Sequence, residues 1–285
     1  MINHKNGTLE KYSVLMSVYE KEVPQYLRES INSMIGQTVK PDQIVIVEDG
    51  KLTEALYEVL DSFSQEYDGL IERVSLSTNQ GLGHALDVGM QFCRNELIAR
   101  MDSDDISIKD RCQKQLEVFV LDNSLDIVSG TIVEFINNID NVVYRRVVPE
   151  LNAEIKKQMR RRSPFNHPAV MYKKSSVIRC GGYGSSARKE DHDLFSRMLN
   201  MGCKAYNLQE DLLFYRTGTD SIKRRKSWKN VRSYIEIMWI NLNRGYCGMD
   251  DFLYVCIAQI FYLIAPAPLL DIIIKHCLRS TDDKR

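Results

Sequence analysis

The sequence predicts a doubly wound α/β sheet, and three observations carry that prediction. Short runs of strand formers alternate with helical patterns over the first hundred residues. One of those runs, Ile44-Val-Ile-Val47, is continuously apolar, as a strand covered on both faces requires. Three polar clusters, Tyr19-Glu20, Glu48-Asp49 and Asp102 to Asp105, fall where predicted strands end. In such sheets ligands bind beyond the carboxyl ends of the strands, so the three clusters point to one site.

Taken in order, Tyr12–Tyr19 reads as the first strand, and Leu27, Ile31, Met34 and Ile35 recur at helical spacing after Pro24. Gln43–Gly50 is a second strand, residues 52–65 a helix, Ile71–Leu76 a third strand and Gly83–Asn95 a helix. Leu97–Met101 is a fourth strand running directly into Asp102-Ser-Asp-Asp105. A helix over Arg111–Val120 follows, then strands near Ile127–Ile136 and Val142–Val148, a basic helix over Glu154–Arg162, and a strand over Ala169–Tyr172. Gly181-Gly-Tyr183 is a turn, and Glu190-Asp191 opens a helix whose apolar face is Leu194, Phe195, Met198 and Leu199. Lys223-Arg-Arg-Lys226 begins a basic, aromatic-rich helix through Trp228, Tyr234 and Trp239.

At 285 residues the chain accommodates one large α/β domain, or one domain and an appendage. Lys plus Arg balance Asp plus Glu at 38 each, so whole-chain charge gives no argument for nucleic acid as a partner. Seven dispersed cysteines without C-x-x-C spacing argue against a disulfide framework or a structural zinc site, and predict reduced, mostly buried thiols. The polar first residues carry no apolar leader, which predicts a cytoplasmic chain.

Clustered carboxylates repel one another unless a cation neutralises them, and the oxygen ligands of Asp102-Ser103-Asp104-Asp105 suit Mg²⁺ or Mn²⁺ completed by phosphates. A helix cap followed by a solvated acidic loop would read the same way. Asp49, before Gly50, is placed to accept an N–H from a base such as uracil, or simply to form a turn. Asn79-Gln-Gly81-Leu-Gly83 offers close backbone approach to a nucleotide, or is a plain loop before a helix. Asp191 is a candidate general base on a hydroxyl nucleophile, against favourable charge at a helix start. His167, between Asn166 and Pro168, is an acceptor-binding candidate or a turn histidine. There is no G-x-x-x-x-G-K-[ST], H-E-x-x-H or G-x-S-x-G, and no G-x-G-x-x-G follows the first strand.

In order and spacing these elements resemble a family-2 glycosyltransferase of GT-A fold, a Rossmann-like mixed α/β sheet flanked by helices. The resemblance rests on Ser13-Val-Leu-Met-Ser-Val-Tyr-Glu20, Ser30-Ile-Asn-Ser-Met-Ile-Gly-Gln-Thr38, Ile44-Val-Ile-Val-Glu-Asp-Gly50 and Asn79-Gln-Gly-Leu-Gly-His-Ala-Leu86. It continues through Ala99-Arg-Met-Asp-Ser-Asp-Asp105, Arg111, His167-Pro168, Gly181-Gly-Tyr183 and Glu190-Asp-His-Asp193. The chain is most similar to the amylovoran and exopolysaccharide subgroup, to which Tyr215-Arg-Thr-Gly-Thr-Asp-Ser-Ile-Lys-Arg-Arg225 also fits. The resemblance implies an inverting hexosyltransferase acting with Mn²⁺ or Mg²⁺ on a nucleotide sugar, expected to be a UDP-sugar. The acceptor would be a hydroxyl of a glycan or a polyprenyl-diphosphate-linked sugar in bacterial capsule, exopolysaccharide or O-antigen synthesis.

It further implies roles for individual residues. Tyr19, Glu20, Asp49, Asn79, Gly81, Asp102 and Ser103 would bind the nucleotide sugar, and Asp102 and Asp104 would hold the metal. Asp191 would be the catalytic base, with His167 and Glu190 meeting the acceptor. Gly218 stands where many relatives have a histidine that reaches the metal or diphosphate, and the processive Q-x-x-R-W signature is absent, which favours single-sugar addition. Two other readings compete. A nucleotidyltransferase should have a Gly-rich, Lys- or Arg-bearing loop after the first strand, which Tyr19–Pro24 lacks. Asp49, Asp102, Asp104 and Asp191 together in one chain argue against a non-catalytic nucleotide-sugar-binding protein.

The expected organisation is a tail over 1–11, the GT-A domain over 12–220 and a basic and apolar helical extension over 221–285. Phe252–Leu270 has no formal charge, but Gln259, Pro266 and Pro268 argue against one straight spanning helix. With Lys223–Lys226 and Trp228 upstream and Lys275 and Arg279 downstream, the extension suits a helix lying on the inner face of the plasma membrane. Packing against the core or a second subunit is the alternative, so a homodimer stays open. The cluster Lys156 to Arg162 is a candidate for attracting a lipid diphosphate, or is a solvated helix face.

Overall fold

A computed structural model describes residues 9–184, 189–218, 227–266 and 270. Four parallel strands form its first half in the order β3-β2-β1-β4: β1 (Tyr12–Val18), β2 (Gln43–Glu48), β3 (Ile71–Ser75) and β4 (Leu97–Asp102). Three helices cross between them: α1 (Pro24–Ile35), α2 (Glu54–Glu66) and α3 (Leu82–Phe92). Proline opens α1, where its missing N–H costs nothing, and the Thr53 hydroxyl caps α2 by accepting from the Leu56 amide at 3.4 Å.

The period of two along β1 and β2 divides the core. Tyr12, Val14, Met16, Ile44 and Ile46 face α1 and α2, with Leu27, Ile31, Leu56 and Leu60. Leu15, Val45 and Val47 face the other way, against Ala85, Leu86 and Met90 of α3 and later helices. Both faces are therefore dry, and burial on both sides explains why β2 is apolar without alternation.

The second half mixes strand directions. After β5 (Ile106–Ser107) and α4 (Arg111–Leu121) come β6 (Ile127–Phe135), β7 (Val142–Arg146), α5 (Asn152–Met159) and β8 (Met171–Lys173). Then follow α6 (Lys174–Arg179), α7 (Glu190–Asn200) and β9 (Ala205–Arg216). Antiparallel β8 joins β4 to the remainder in the order β8-β6-β9-β5, with β7 on β6, so the sheet is mixed. The buried Arg111 guanidinium fastens the halves by donating to the Arg100 and Val170 carbonyls at 2.7 and 3.2 Å.

Several expected elements shift. The strand expected over Ala169–Tyr172 is a single 3₁₀ turn at His167–Ala169 followed by β8, because Pro168 has no N–H to give a ladder. The basic helix ends at Met159, ahead of the arginines. The twelve-residue β9, together with β5 and α6, is not anticipated at all. Two further helices, α8 (Trp228–Asn243) and α9 (Met249–Ile264), form a hairpin packed on Met238, Cys247 and Val255. Ser227 caps α8, while the expected start at Lys223–Lys226 and the 220/221 boundary lie outside the described residues. The α9 helix stops at Ala265, just before Pro266. No helix among the described residues is long and apolar enough to cross a membrane. The six described cysteines are free thiols, all but Cys256 buried.

Candidate active site

At the end of β2, the buried Asp49 carboxylate accepts from the backbone amides of Gln80 and Gly81, at 2.7 and 3.0 Å. Gly50 allows this approach: its φ is +86°, and a Cβ there would stand 2.6 Å from the Asn79 nitrogen. Asp49, Asn79 and Gly81 thus form one unit. Its neighbour Glu48 accepts from Arg73 Nε at 2.6 Å and from the Ser75 hydroxyl at 2.7 Å, which makes it a brace between β2 and β3.

The acidic turn after β4 is the electrostatic centre. Ligand oxygens of Asp102, Asp104 and Asp105 lie within 4.8 Å of one another. Burial, then the repulsion of Asp102, pushes the Asp104 carboxyl up to about 6. Burial, followed by Asp102 and Asp104, raises Asp105 well above the ordinary range. Asp105 accepts the Arg216 amide through Oδ1 at 2.8 Å, but its other oxygen is buried without a partner. Crowded carboxylates with an orphaned oxygen are the donor set a hard divalent cation requires. Asp105, part of the carboxylate run seen in the sequence, thus joins Asp102 and Asp104, the two that the resemblance assigned to the metal.

Two further residues enter that the motifs did not reveal. Glu22, two residues beyond Glu20, lies beside Ser103, and its carboxyl is pushed up to about 7 by burial, then by Asp104 and Asp102. Its amide donates to the Tyr19 carbonyl at 3.1 Å, so the turn after β1 carries it toward the acidic cluster. Tyr19 and Glu20 are both exposed in that turn, and Glu20 makes no hydrogen bond among the described residues. Arg216, at the end of β9, donates through Nε to the Asp104 carbonyl at 2.8 Å and pairs with Glu29 at 2.6 Å.

Beside this cluster lies a cavity of about 250 Å³ whose walls include Arg100, Asp102, His167, Glu190 and Asp191. Asp191 sits in the first turn of α7, where helix N–H groups favour a carboxylate. Burial alone would raise its pKa, but His167, the Lys189 ammonium, His192 and the His192 amide outweigh this, and the pKa is lowered. Glu190 moves the other way, raised by burial and by Asp191. The two neighbouring carboxyls are thus pushed apart, with Asp191 the more readily ionised. His167 bonds to the Tyr183 hydroxyl at 2.9 Å, and burial, with Arg100, lowers it to about 3, so it is neutral at physiological pH. Arg100 pairs with Asp102, and its Nε and Nη1 are buried with no partner.

The rest of Glu190-Asp-His-Asp193 is structural. Asp193 binds Arg197 Nη2 at 3.0 Å and Arg244 Nη1 at 2.6 Å, fixing α7 to the end of α8. Asp87 holds the glycine turn by accepting from the Tyr183 and Gly184 amides at 2.6 and 3.1 Å.

The profile of glycosyl transferase family 2 matches residues 13–184. The chain belongs to that family. A family relative, the UDP-Gal:alpha-D-GlcNAc-diphosphoundecaprenol beta-1,3-galactosyltransferase of Escherichia coli, is 35% identical over 269 residues, covering 94% of this chain and 97% of its own. The amylovoran biosynthesis glycosyltransferase AmsE of Erwinia amylovora is 32% identical over 231 residues, 81% of this chain and 85% of its own. Among solved structures, the mannosyltransferase PcManGT of Pyrobaculum calidifontis, in complex with GDP-Man and Mn²⁺, superposes with a TM-score of 0.64 at 14% identity. That match covers 90% of this chain and 71% of the mannosyltransferase. The mixed sheet and its helices are thus the GT-A fold, as the sequence resemblance implied.

Proposed function

We propose that this family-2 glycosyltransferase is metal-dependent and inverting, and transfers one sugar from a UDP-sugar to a polyprenyl-diphosphate-linked acceptor. The observation that carries this reading is the shared cavity, in which the ionised Asp191 stands across from Asp102 of the acidic cluster. Asp102, Asp104 and Asp105 would hold Mn²⁺ or Mg²⁺, which when bound offsets the charge developing on the departing diphosphate. Asp49 and the Asn79–Gly81 turn, with Tyr19, frame the place for the base.

The acceptor hydroxyl gives its proton to an Asp191 oxygen as its own oxygen bonds to the anomeric carbon. The bond from that carbon to the diphosphate oxygen breaks on the opposite side, and UDP leaves with the electron pair. One displacement inverts the configuration, and no covalent sugar–enzyme intermediate is needed. Neutral His167, with Glu190 beside it in the cavity, is suited to hydrogen-bond the acceptor without competing for its proton.

The lipid-linked acceptor draws support from the 35%-identical galactosyltransferase and from the surface of the helical hairpin. Along α9, Leu253, Ile257, Ile260 and Ile264 are exposed, Ile257 at 69% and Ile264 at 73%. With Trp239 on α8, they form an apolar face suited to the interfacial zone of a cytoplasmic membrane leaflet.

The test is UDP release from a panel of UDP-sugars with Mn²⁺ or Mg²⁺, using the wild type, Asp104→Ala and Asp191→Asn. Metal-dependent release from one donor should vanish in Asp104→Ala. In Asp191→Asn it should fall about 10²–10⁴-fold with UDP binding intact. Undiminished turnover in Asp191→Asn would remove the base assignment, and failure of the wild type to bind UDP would remove the donor assignment.

A further inference from the structure

Between α5 and α9 runs a groove of about 850 Å³ that none of the site residues above occupies. Its volume lies within the range of small-molecule sites, about 300–1,000 Å³. One end is basic: Lys157, Arg160, Arg161 and Arg162 line it, against Glu154, Asp250 and Asp251. The other end is apolar and follows α9 through Val255, Ala258, Phe261 and Tyr262. The groove is thus amphiphilic along its length, cationic at one end and greasy at the other.

The basic end is built rather than merely exposed. Asp251, itself 3% exposed, binds Arg160 Nη2 at 2.7 Å and Arg161 Nε at 2.5 Å. The Arg161 guanidinium stacks over Tyr254 at 4.7 Å from the ring centroid. These contacts fix two arginines at the rim, while Lys157 has no ion pair among the described residues.

The basic end is also the end nearest the reaction. Tyr234, which lines the groove, donates its hydroxyl to the Arg161 carbonyl at 3.2 Å. Its ring lies 5.6 Å from the ring of His192, the neighbour of Asp191, and the Lys189 ammonium sits 5.1 Å over it. Asp191 and Arg146, both lining the catalytic cavity, are close enough to Tyr234 to act on its ionisation. Tyr234 therefore ties the groove to the neighbourhood of the catalytic cavity, and the α9 wall leads away from it for up to about 24 Å, at 1.5 Å per residue.

We infer that this groove binds the isoprenoid diphosphate of the acceptor, with the diphosphate beside Lys157 and Arg162 and the first isoprene units along Val255, Ala258 and Tyr262. The inference rests on the lipid-linked acceptor reading. The order of chemistry along the surface matches such a molecule: sugar at Asp191, then two phosphates, then hydrocarbon. The exposed outer face of α9 lets the remaining lipid pass into a membrane on which the hairpin rests.

The probe is geranylgeranyl diphosphate, titrated calorimetrically below its micelle concentration into the full chain, with geranylgeraniol and inorganic diphosphate as comparisons. UDP with Mn²⁺ is titrated into the same samples. Two variants address the two ends: Ala258→Trp fills the apolar wall from an exposed position, and Lys157→Glu reverses an unpaired charge. Geranylgeranyl diphosphate should bind more tightly than either comparison, and each variant should weaken it about tenfold or more with UDP binding unchanged. Equal affinity in all three proteins places the lipid elsewhere and overturns the inference. So does absence of binding to the full chain. Geranylgeraniol binding as tightly as the diphosphate overturns the assignment of the basic end. Loss of UDP binding alone, with the probe still bound, would instead strike the donor reading and leave the groove standing.

Discussion

Replacing Arg216 tests whether the acidic turn is held in place from β9. Its side chain, 9% exposed, donates to the Asp104 carbonyl, pairs with Glu29, reaches the Asn137 carbonyl at 3.3 Å and lies 3.8 Å from the Tyr26 ring centroid. A charged donor to a carbonyl contributes about 1.5–3 kcal/mol, the partly exposed pair about 0.5–1 and the ring contact about 0.5–1. Arg216→Ala should therefore lose roughly 2.5–5 kcal/mol, enough to confuse unfolding with inactivity. Arg216→Lys is the sharper probe. One ammonium keeps the charge but cannot serve Glu29, Asn137 and Asp104 together, so about half the stabilisation should go. The Arg216 amide still holds Asp105, so the displacement falls on Asp104. A shift of about 1 Å at a group that positions the reaction costs about 10²-fold. The assay is UDP release against Mn²⁺ concentration at a temperature where melting curves show the variant folded. A higher Mn²⁺ requirement and a fall of that order are expected. Normal Mn²⁺ dependence and turnover in a folded Arg216→Lys chain would refute the brace.

Three other outcomes follow from the same geometry. In the metal-free chain, Asp104 and Glu22 have folded pKa values raised to about 6 and about 7, so the folded state holds their protons more tightly than the unfolded state. That stabilisation is complete below the unfolded value near 4 and is lost as pH rises through 6–7, so melting temperature should fall over this window and recover with Mn²⁺. Gly50→Ala should destabilise by about 1–3 kcal/mol and weaken UDP binding, because the positive φ and the Asn79 backbone both resist a Cβ. Asp251→Ala leaves Arg160 and Arg161 without their shared partner and should loosen α9, seen as faster proteolysis between residues 243 and 249 with UDP binding retained.

The first half of the fold was legible because each element there answers to its own sequence period. Buried parallel strands are apolar throughout, crossover helices carry spaced apolar faces, and strand ends bear the polar residues. The second half lacks that independence. Strand β9 contains Asn207, Gln209, Glu210 and Asp211, and its register against β6 slips around Thr131, so neither an apolar run nor clean alternation marks it. Asn207 sits in a buried position because its amide finds the Pro149 and Pro164 carbonyls at 2.6 and 3.0 Å, partners invisible in a linear reading. Asp49, Asp104 and Asp191 stand out in the sequence because a carboxylate at a strand end or helix start is conspicuous. Glu22 was not singled out, and Arg216 was marked only within the Tyr215–Arg225 stretch, since the positions of both depend on loops brought together across the sheet.

The fate of the charges completes the same argument. A formal net charge of zero conceals two opposite arrangements. At the strand ends, four carboxyls from Glu22, Asp102, Asp104 and Asp105 converge, with Arg100 and Arg216 as the nearby guanidinium groups, so carboxyls outnumber guanidinium groups there. In the Lys156–Arg162 run, by contrast, two of the arginines that a linear reading offers to a lipid diphosphate already hold Asp250 and Asp251. Reversing Arg160 or Arg161 would therefore undock the helical hairpin and injure every activity that depends on it. Lys157 carries no such structural duty, and the acceptor's charge is better probed there than at the arginines.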